Sequence, residues 1–407
     1  MLHARTRFVE GGGRNQPRSH QEGACVVSHG ELGTRAAPFC DHAEGPAVMS
    51  TNPRIYLDFN ASAPMIPAVR AAMAAALADP GWANPSSIHA EGRRARHLVE
   101  TARDAIAALA GAPRERVVFT SGGTEANALG VALLAGEAER RGLPRVAVTT
   151  AWEHPSLLAA VAALASRGWR VDVVGPDALP AAAPGAGLVA FGRVNHELGT
   201  VTERPLGPAL VHIDAVQAAG KLALLAADSI ALSAHKLGGP PGVGAVVVRE
   251  DLAPADELEP GHQERGRRAG TENVVGIAGF GAAAAADPAS WPAVASLGAE
   301  LERGLVGLGA TIHGAERPRV GGTINAGFPG ALGESLVIAL DLVGIAASTG
   351  AACSSGSIKP SPVLLALGLS PAAARSAVRF SLGRSTTAAE VAAVLAALPP
   401  ILARARR

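Results

Sequence analysis

The sequence predicts an α/β fold, built on a mostly parallel sheet of seven strands and followed by a smaller α+β C-terminal domain. Short apolar segments alternate with segments of helical periodicity up to about Ser290, which is typical of βαβ units. After Ser290 the pattern changes to a glycine-rich strand and further helices. The length of 407 residues exceeds one typical core, so two domains are expected. In open sheets of this kind, ligands bind at the carboxyl ends of the strands.

Seven short apolar segments predict the strands of the larger domain: Val117–Thr120, Val146–Thr149, Val171–Val174, Leu188–Phe191, Val211–Ile213, Ser229–Leu232 and Gly244–Val248. Helical periodicity is found in the segments Pro67–Ala78, Glu91–Ala110 and Thr124–Arg141. The smaller domain is predicted to contain the strand Gly321–Gly327 and the helices Glu334–Leu342, Ser361–Leu367 and Ala388–Leu398. We place the larger domain at residues 64–291 and assign residues 49–63 and 292–407 to the smaller domain.

Residues 1–48 differ from the rest of the chain, because they show no strand or helix periodicity. They contain no apolar segment of the kind that signal peptides carry. The spacing of Cys25 and Cys40, with histidines nearby, matches no common metal-ligand pattern, so no metal site is predicted. We interpret these residues as a disordered extension, and Met49 is a candidate translation start because strand-like sequence begins at Ile55.

The composition is that of a soluble enzyme. Apolar residues make up 48% of the chain and aromatic residues only 3%, so small side chains fill most of the core. The formal net charge of +1 argues against electrostatic binding of nucleic acid or of a membrane surface. Apolar runs of membrane-spanning length are all interrupted by Gly, Pro or charge. The three cysteines, an odd number, argue against a disulfide framework and indicate a reducing compartment, which we take to be the cytoplasm.

Lys236 is the first candidate for a catalytic residue. It ends the segment Ser233-Ala234-His235-Lys236, which lies between an apolar run and a Gly/Pro-rich turn. Burial lowers the pKa of a lysine, so such an amine can act as a neutral nucleophile and form a Schiff base. Ser233 and His235 are candidates for binding a phosphate group.

Asp214 supports this interpretation from about 22 residues upstream. The segment Val211–Gln217 indicates a short buried strand that delivers this aspartate. An aspartate beneath a pyridinium nitrogen and a lysine on an aldehyde carbon are the two groups that pyridoxal 5'-phosphate (PLP) requires of a protein. The sequence therefore predicts PLP as the cofactor.

Two further segments follow strands at the same edge of the predicted sheet. Thr120–Glu125 opens a helix, and its glycines would let backbone amides approach a phosphate at the helix N-terminus. His154, in the segment Glu153–Ser156, is placed to lie over a planar ring and to move protons. The alternative for the first segment is a helix cap with nothing bound, and for His154 it is a capping or core role.

Ten segments in order resemble the cysteine desulfurases, a family of class V PLP enzymes with the aminotransferase fold. The resemblance covers the chain from about Tyr56 to Thr387 and implies the PLP-dependent aminotransferase type I fold and a homodimer. The segments are Tyr56–Ala61, Asn84–His89, Thr120–Glu125, Glu153–His154, Val194–Gly199, His212–Gln217, Ser233–Lys236, Gln263–Thr271, Ser348–Cys353 and Arg379–Arg384.

The resemblance implies a role for each matched residue. Lys236 would hold PLP covalently, Asp214 would pair with the pyridine nitrogen, and His154 would stack on the ring and transfer protons. Gln217 would bond the phenolic oxygen of the ring. Further cofactor contacts are implied for Gly123, Thr124, His196, Ser233, His235 and, from the partner subunit, Thr271. Substrate contacts are implied for Asn60 and for Arg379, whose planar guanidinium suits a carboxylate.

Cys353 decides which reaction the resemblance implies. It lies in the segment Ser348–Ser357, which consists of small residues. A cysteine on a Gly/Ser-rich loop is expected to be exposed and reactive. It would attack the sulfur of the substrate and carry it away as a persulfide. The distance along the chain to Arg379 matches the family branch with the longer catalytic arm, which feeds iron–sulfur cluster assembly or tRNA thiolation.

Two features depart from the family pattern. Where the family usually has a second asparagine that touches the ring oxygen and the substrate carboxylate, this chain has His196. Since an imidazole can still donate a hydrogen bond, we expect altered affinity more than loss of function. The stretch between Gly199 and Val211 is shorter than the helix-bearing segment of the family. This shortening either trims a surface element or weakens the sheet edge near Asp214.

We therefore predict a homodimeric cysteine desulfurase that converts L-cysteine to L-alanine and passes the sulfur to an acceptor protein. Two alternatives remain: selenocysteine lyase or another class V activity, and a non-catalytic interaction subunit of a sulfur-transfer complex. The position of Cys353 argues against transamination. A non-catalytic subunit would have no need for all five of Lys236, Asp214, His154, Cys353 and Arg379.

Overall fold

The computed structural model of the protein describes residues 54–79, 82–252, 263–286, 290–350 and 359–406. The predicted extension at residues 1–48, its Cys25 and Cys40, the possible start at Met49, and Cys353 all lie outside the described residues. The division into two domains near residue 291 stays a prediction.

The described residues form twelve strands and eleven α-helices. The strands are β1 (Ile55–Tyr56), β2 (Val117–Thr120), β3 (Val146–Thr150), β4 (Arg170–Val174), β5 (Leu188–Gly192), β6 (Leu210–Asp214), β7 (Ser229–Ser233), β8 (Gly244–Val248), β9 (Thr311–Ile312), β10 (Thr323–Gly327), β11 (Ile345–Ala346) and β12 (Ala377–Ser381). The helices are α1 (Pro67–Ala78), α2 (Ala90–Ala110), α3 (Gly123–Arg140), α4 (Pro155–Ala162), α5 (Leu179–Ala182), α6 (Val274–Ala284), α7 (Trp291–Gly307), α8 (Gly333–Leu342), α9 (Pro362–Ala366), α10 (Pro371–Arg375) and α11 (Ala388–Ala405).

Seven strands form the central sheet, in the order β2-β8-β7-β6-β5-β3-β4. Strands β4, β3, β5, β6 and β7 run parallel, whereas β8 is antiparallel to both of its neighbours. The predicted mostly parallel sheet of seven strands is confirmed, and each strand ends within one residue of its predicted position. The antiparallel strand arises because β7 and β8 are joined by a short turn instead of a crossover helix.

Apart from its edge strand β4, the central sheet is buried on both faces. Alternate side chains of a strand point to opposite faces, so Phe119 of β2 packs in the core that α1, α2 and α6 cover. Its neighbour Val118 lies in the second core, against α3 and α4. The strands are therefore continuous apolar runs, as expected for a sheet with helices on both sides. The polar residues of the site follow where these runs end.

Two smaller sheets lie towards the C-terminus. Strands β12, β10 and β9 form an antiparallel sheet, and β1 pairs in parallel with β11. The predicted helix at Ala388 continues to Ala405 through Pro399 and Pro400. By length and composition alone α11 is long and apolar enough to cross a membrane, but Val391 and Val394 of this helix are buried in the protein core.

The shortened stretch after Gly199 contains no helix. The backbone of Thr200 forms a β-bridge with Arg319, and the N–H of Val201 donates to the carbonyl of Pro318 at 2.9 Å. Strand β6, which ends at Asp214, lies inside the sheet between β5 and β7. The expectation that this shortening might weaken a sheet edge near Asp214 was wrong, because β6 is not an edge strand.

Candidate active site

The carboxyl ends of two neighbouring strands bring the main predicted site residues together. Asp214 ends β6, and Ser233 ends β7 directly before the helical turn Ala234–Lys236. Asp214 pairs in register with Ala231 of β7. Because parallel strands end at the same edge of the sheet, the aspartate and Lys236 reach the same cleft.

The amine of Lys236 is held by backbone carbonyl groups. Its Nζ donates to the carbonyl oxygen of Asn60 at 2.6 Å and to that of Ala61 at 2.7 Å. Burial, together with the cation of Arg379, lowers the pKa of Lys236 to about 8, although Asp58 acts in the opposite direction. About a tenth of the amine is therefore neutral at pH 7, and the neutral form is the Schiff-base nucleophile.

The carboxylate of Asp214 is fixed through both oxygens. Oδ1 accepts the backbone N–H of Val216 at 3.0 Å, and Oδ2 accepts Nδ2 of Asn127 at 2.8 Å. The residue is only 8% exposed. A buried carboxylate held in this way suits the partner of a protonated ring nitrogen, since it cannot swing away from it.

Asn127 links Asp214 to His154, and the sequence analysis missed it. Nδ2 of Asn127 also donates to Oγ of Ser156 at 3.0 Å, and Oδ1 accepts Nε2 of the buried His212 at 3.0 Å. Burial lowers the pKa of His212 to about 3, so its ring is neutral and carries its proton on Nε2. One buried amide thus orients both the aspartate and the serine beside His154. No local motif marks it, because Asn127 lies inside helix α3.

His154 is the N-cap of α4. Its Nδ1 accepts the backbone N–H of Ser156 at 3.1 Å and lies 2.7 Å from Oγ of Ser156. Because a backbone N–H only donates, the neutral ring carries its proton on Nε2. Desolvation lowers the pKa of His154, with Lys236 acting the same way and Asp214 opposing it. His154 thus caps a helix with one nitrogen and offers the other to the site.

His196 packs against His154, with ring centroids 5.3 Å apart and an interplanar angle of 74°. Burial lowers the pKa of His196 to about 3, so the ring is neutral although its Nε2 lies 3.8 Å from Oε1 of Glu197. The carbonyl oxygen of His196 accepts Nδ2 of Asn60 at 3.1 Å and Nη1 of Arg379 at 3.0 Å. The backbone at this position therefore organises both predicted substrate residues, whichever side chain it carries.

The start of α3 forms a cradle that a phosphate fits. The N-cap is Gly122, which offers no side chain to the N–H groups of the first turn. A Cβ on Gly123 would lie 2.8 Å from Cγ2 of Val216, so only glycine allows this close approach. Oγ of Ser233 lies 3.0 Å from Nδ1 of His235 beside the cradle. Thr124 follows in the first turn of the helix and is exposed.

The residues present fit PLP. The cradle at Gly123, Ser233 and His235 would take the phosphate, Asp214 the ring nitrogen, and Lys236 the aldehyde carbon. Gln217, whose Nε2 donates to the carbonyl oxygen of Asn60 at 2.9 Å, would reach the phenolic oxygen. These roles stay predictions that rest on the resemblance and on the donors and acceptors described above.

The guanidinium of Arg379 is buried and held by two hydrogen bonds. Nη2 lies 2.6 Å from Oδ1 of Asp58, and Nη1 bonds the carbonyl oxygen of His196. Nε is buried and finds no acceptor among the described residues. The contact of Arg379 with a substrate carboxylate stays a prediction. Asp58 was not singled out in the sequence, since an aspartate next to a predicted strand is an ordinary surface residue.

Described residues on both sides of the segment that carries Cys353 contact the site. The backbone of Ser348 forms a β-bridge with Arg379, and the N–H of Arg379 donates to the carbonyl oxygen of Ser348 at 2.6 Å. At the other end, Oγ of Ser361 donates to Oε2 of Glu197 at 2.7 Å. Burial raises the pKa of Glu197 to about 7. Ser348 and Ser361, which flank the residues around Cys353, are thus both held at the site.

Thr271 is exposed on the surface of the chain. It follows a turn that is held to the rest of the protein by a buried ion pair between Arg103 and Glu264. Its exposure leaves its hydroxyl accessible, and its predicted contact with a partner subunit stays a prediction.

Comparison with known proteins identifies the relatives of this chain. The family model described as Aminotransferase class-V matches residues 55–394. A cysteine desulfurase of Trichormus azollae is 38% identical over 380 residues, which cover 86% of this chain and 94% of the relative. A cysteine desulfurase of Rhodobacter capsulatus is 40% identical over 382 residues, with coverage of 88% and 98%.

Two solved structures superimpose on this chain over most of its length. A NifS-like protein superimposes with a TM-score of 0.75 at 30% identity, covering 86% of this chain and all of the other. A protein described as SspA in complex with cysteine superimposes with a TM-score of 0.68 at 29% identity, covering 82% of this chain and all of the other.

Proposed function

The chain belongs to the cysteine desulfurases of the class V aminotransferase family, and from this we propose that it removes sulfur from L-cysteine and receives it on Cys353. The products are L-alanine and a persulfide. The thiolate of Cys353 attacks the substrate sulfur and forms the sulfur–sulfur bond of the persulfide. The carbon–sulfur bond breaks with its electron pair going to the carbon, which takes up a proton. The step needs no added oxidant or reductant. The observation that carries the proposal is the meeting of Lys236, Asp214 and Arg379 at one edge of the sheet.

The protein residues divide this work. PLP, when bound, supplies an electron sink for carbanion chemistry. Lys236 holds the cofactor and, with a pKa lowered to about 8, can give and take a proton near neutral pH. His154 presents Nε2–H towards the site, and Arg379 grips the substrate carboxylate. Asp214 pairs with the ring nitrogen.

One experiment tests the proposal. The purified protein with PLP is given L-cysteine, and alanine and sulfide are measured in the presence of a reducing thiol. We expect Cys353→Ser to retain PLP and to lose turnover, because a serine hydroxyl is a poor nucleophile towards sulfur at neutral pH. Cys40→Ser is the matched control and should turn over like the wild type. Full turnover by Cys353→Ser would contradict the assignment of the nucleophile.

The destination of the sulfur is a protein that takes part in iron–sulfur cluster assembly or in tRNA thiolation. This proposal is supported by the number of residues between Cys353 and Arg379, which matches the family branch with the longer catalytic arm. The enzyme acts as a homodimer in the cytoplasm, with Thr271 of the partner subunit at each PLP phosphate. The same assay with L-selenocysteine tests the selenocysteine lyase alternative, which requires a clear preference for selenium.

A further inference from the structure

This chain uses lysine very sparingly. Lysine and arginine together number 36, and only Lys221, Lys236 and Lys359 are lysines. Two of the three meet at the active site, although arginine serves almost everywhere else as the cation. Lysine differs from arginine in being a compact amine with three freely rotating donors. Lys236 needs an amine for its chemistry, but nothing in the proposed reaction yet uses Lys221.

Lys221 points its amine into the same cluster as Lys236. Its Nζ donates to Oδ1 of Asn60 at 3.1 Å and to Oε1 of Gln217 at 3.0 Å. The amine also lies 5.1 Å from the centre of the Trp291 ring. Within the part of the chain that the structure describes, no carboxylate forms a salt bridge with it. The amine of Lys221 therefore donates its hydrogen bonds to two amide side chains and not to a carboxylate.

These two contacts decide which way both amides face. A protonated amine only donates, so it must meet the oxygen end of each amide. The nitrogen ends then point the other way. Nδ2 of Asn60 reaches the carbonyl of His196 at 3.1 Å and Oγ1 of Thr323 at 3.0 Å. Nε2 of Gln217 reaches the carbonyl oxygen of Asn60 at 2.9 Å, the same atom that Lys236 binds.

We propose that Lys221 is a positioning residue that locks the side-chain amide of Gln217 with its N–H groups towards the cofactor, and that of Asn60 with its N–H groups towards His196 and Thr323. This inference rests on the proposed function, because the site of Gln217 is the PLP site. An amide alone can turn over and exchange its oxygen and nitrogen at little cost. A fixed donor behind it removes that freedom, so Gln217 always presents N–H to an acceptor on the ring.

The electrostatics of the cluster agree with this role. Desolvation, with the neighbouring Lys236 and Arg379 cations, lowers the pKa of Lys221 to about 7. Even the neutral amine keeps two N–H donors, which is enough for both amides.

The first test is a double-mutant cycle read out as PLP affinity. We expect Lys221→Met, which keeps the length of the side chain but has no donor, to weaken PLP binding to the apoprotein by about tenfold to a hundredfold. In the Gln217→Met background, the same change should weaken binding severalfold less, because the group that Lys221 orients is already gone. Equal losses in both backgrounds would mean that Lys221 acts only as a packing residue, and would overturn the proposal.

Lys359→Met is the matched control, since it removes an exposed lysine and should leave PLP affinity unchanged. A second measurement needs no variant. Amine labelling of the wild-type apoprotein across pH, with three lysines to resolve by mass spectrometry, should show Lys221 reacting with a midpoint well below that of Lys359. A midpoint equal to that of Lys359 would show a solvated Lys221 and overturn the proposal. Failure of the wild type to bind PLP would instead refute the proposed function.

Discussion

Glu153 accepts the backbone N–H of Gly192 through Oε2 at 2.7 Å, and this bond ties the residue before His154 to the end of strand β5. Gly192 in turn pairs in register with Asp214. Burial, with a smaller contribution from the charge of Asp214, raises the pKa of Glu153 to about 8. The carboxyl is therefore neutral at neutral pH and holds two parts of the site together without adding charge.

We predict that Glu153 makes the apoprotein less stable as pH rises. Its pKa is raised on folding from 4.5 to about 8, so the folded state keeps a proton that the unfolded state has lost. Its contribution is complete below pH 4.5 and is lost as pH rises through about 8. Between these two pH values the free energy of unfolding of the wild type should fall relative to that of Glu153→Gln, by at most about 1.4 kcal/mol per pH unit. Urea unfolding at pH 5 to 9 measures this, and parallel curves would contradict it.

Arg379 is predicted to act on substrate binding more than on cofactor binding. Arg379→Gln removes the charged partner of the carboxylate and should raise the KM for cysteine by about tenfold to a hundredfold. PLP affinity should change little, because the contacts of Arg379 are to Asp58 and to the backbone of His196. Steady-state kinetics and a PLP titration separate the two effects. A PLP affinity that falls as much as the KM rises would show that Arg379 supports the cofactor site instead.

The buried ion pair between Arg103 and Glu264 is predicted to be a strong contributor to stability. Two N···O contacts of 2.8 Å join the side chains, which are 4% and 1% exposed, and Glu264 also accepts the N–H of Phe119 at 2.9 Å. Glu264→Gln leaves the buried arginine with only the partly exposed Glu100, at 3.2 Å, as a counter-charge. We therefore expect a loss of about 3 kcal/mol in the free energy of unfolding, the lower end of the range for a broken buried pair.

The matched control is Asp177→Asn, which breaks the pair with Arg317. Both contacts of that pair are also short, at 2.7 Å, but Asp177 is 75% exposed. Chemical denaturation should show a loss below about 1 kcal/mol for this change. Similar losses at the two sites would mean that burial does not decide the strength of these pairs.

Shared sites between two subunits can be tested by mixing variants. In a homodimer with Thr271 of one subunit at the PLP of the other, Lys236→Ala and Thr271→Ala subunits form mixed dimers with one doubly defective site and one intact site. Wild-type PLP affinity should then return at half of the sites. Thr271→Ala alone should weaken binding modestly, by about 0.5–1.5 kcal/mol or somewhat more, because the phosphate is charged. Sedimentation that shows an active monomer with full PLP occupancy would refute the shared site.

The fold followed from the sequence because a sheet covered on both faces requires continuous apolar strands. The segments around Val118 and Ile213 carry that signal locally, with turn residues at each end. The extension of α11 past Leu398 was missed because Pro399 and Pro400 are strong helix-ending signals. Packing of the buried face of the helix, including Ile401 and Leu402, outweighed them.

Site residues at strand ends were predictable, whereas those inside helices or far along the chain were not. Lys236 and Asp214 stand next to apolar runs that predict where they lie. Asn127 and Lys221 follow two of the recognised segments closely, but the contacts of Asn127 with Asp214 and of Lys221 with Asn60 join residues that are far apart in the chain. The scarcity of lysine in the whole chain was the one available signal for Lys221.

The antiparallel pairing of β7 with β8 has a consequence for the order of folding. The turn that carries Lys236 closes between adjacent strands, so it needs only contacts that are local in the chain and form fast. The carbonyl of Asn60, which binds the same lysine, is separated from it by 176 positions and must wait for a long loop to close. We therefore expect the turn that carries Lys236 to form before the segment around Asn60 packs against it. Until that segment packs, the amine of Lys236 stays accessible in the partly folded chain.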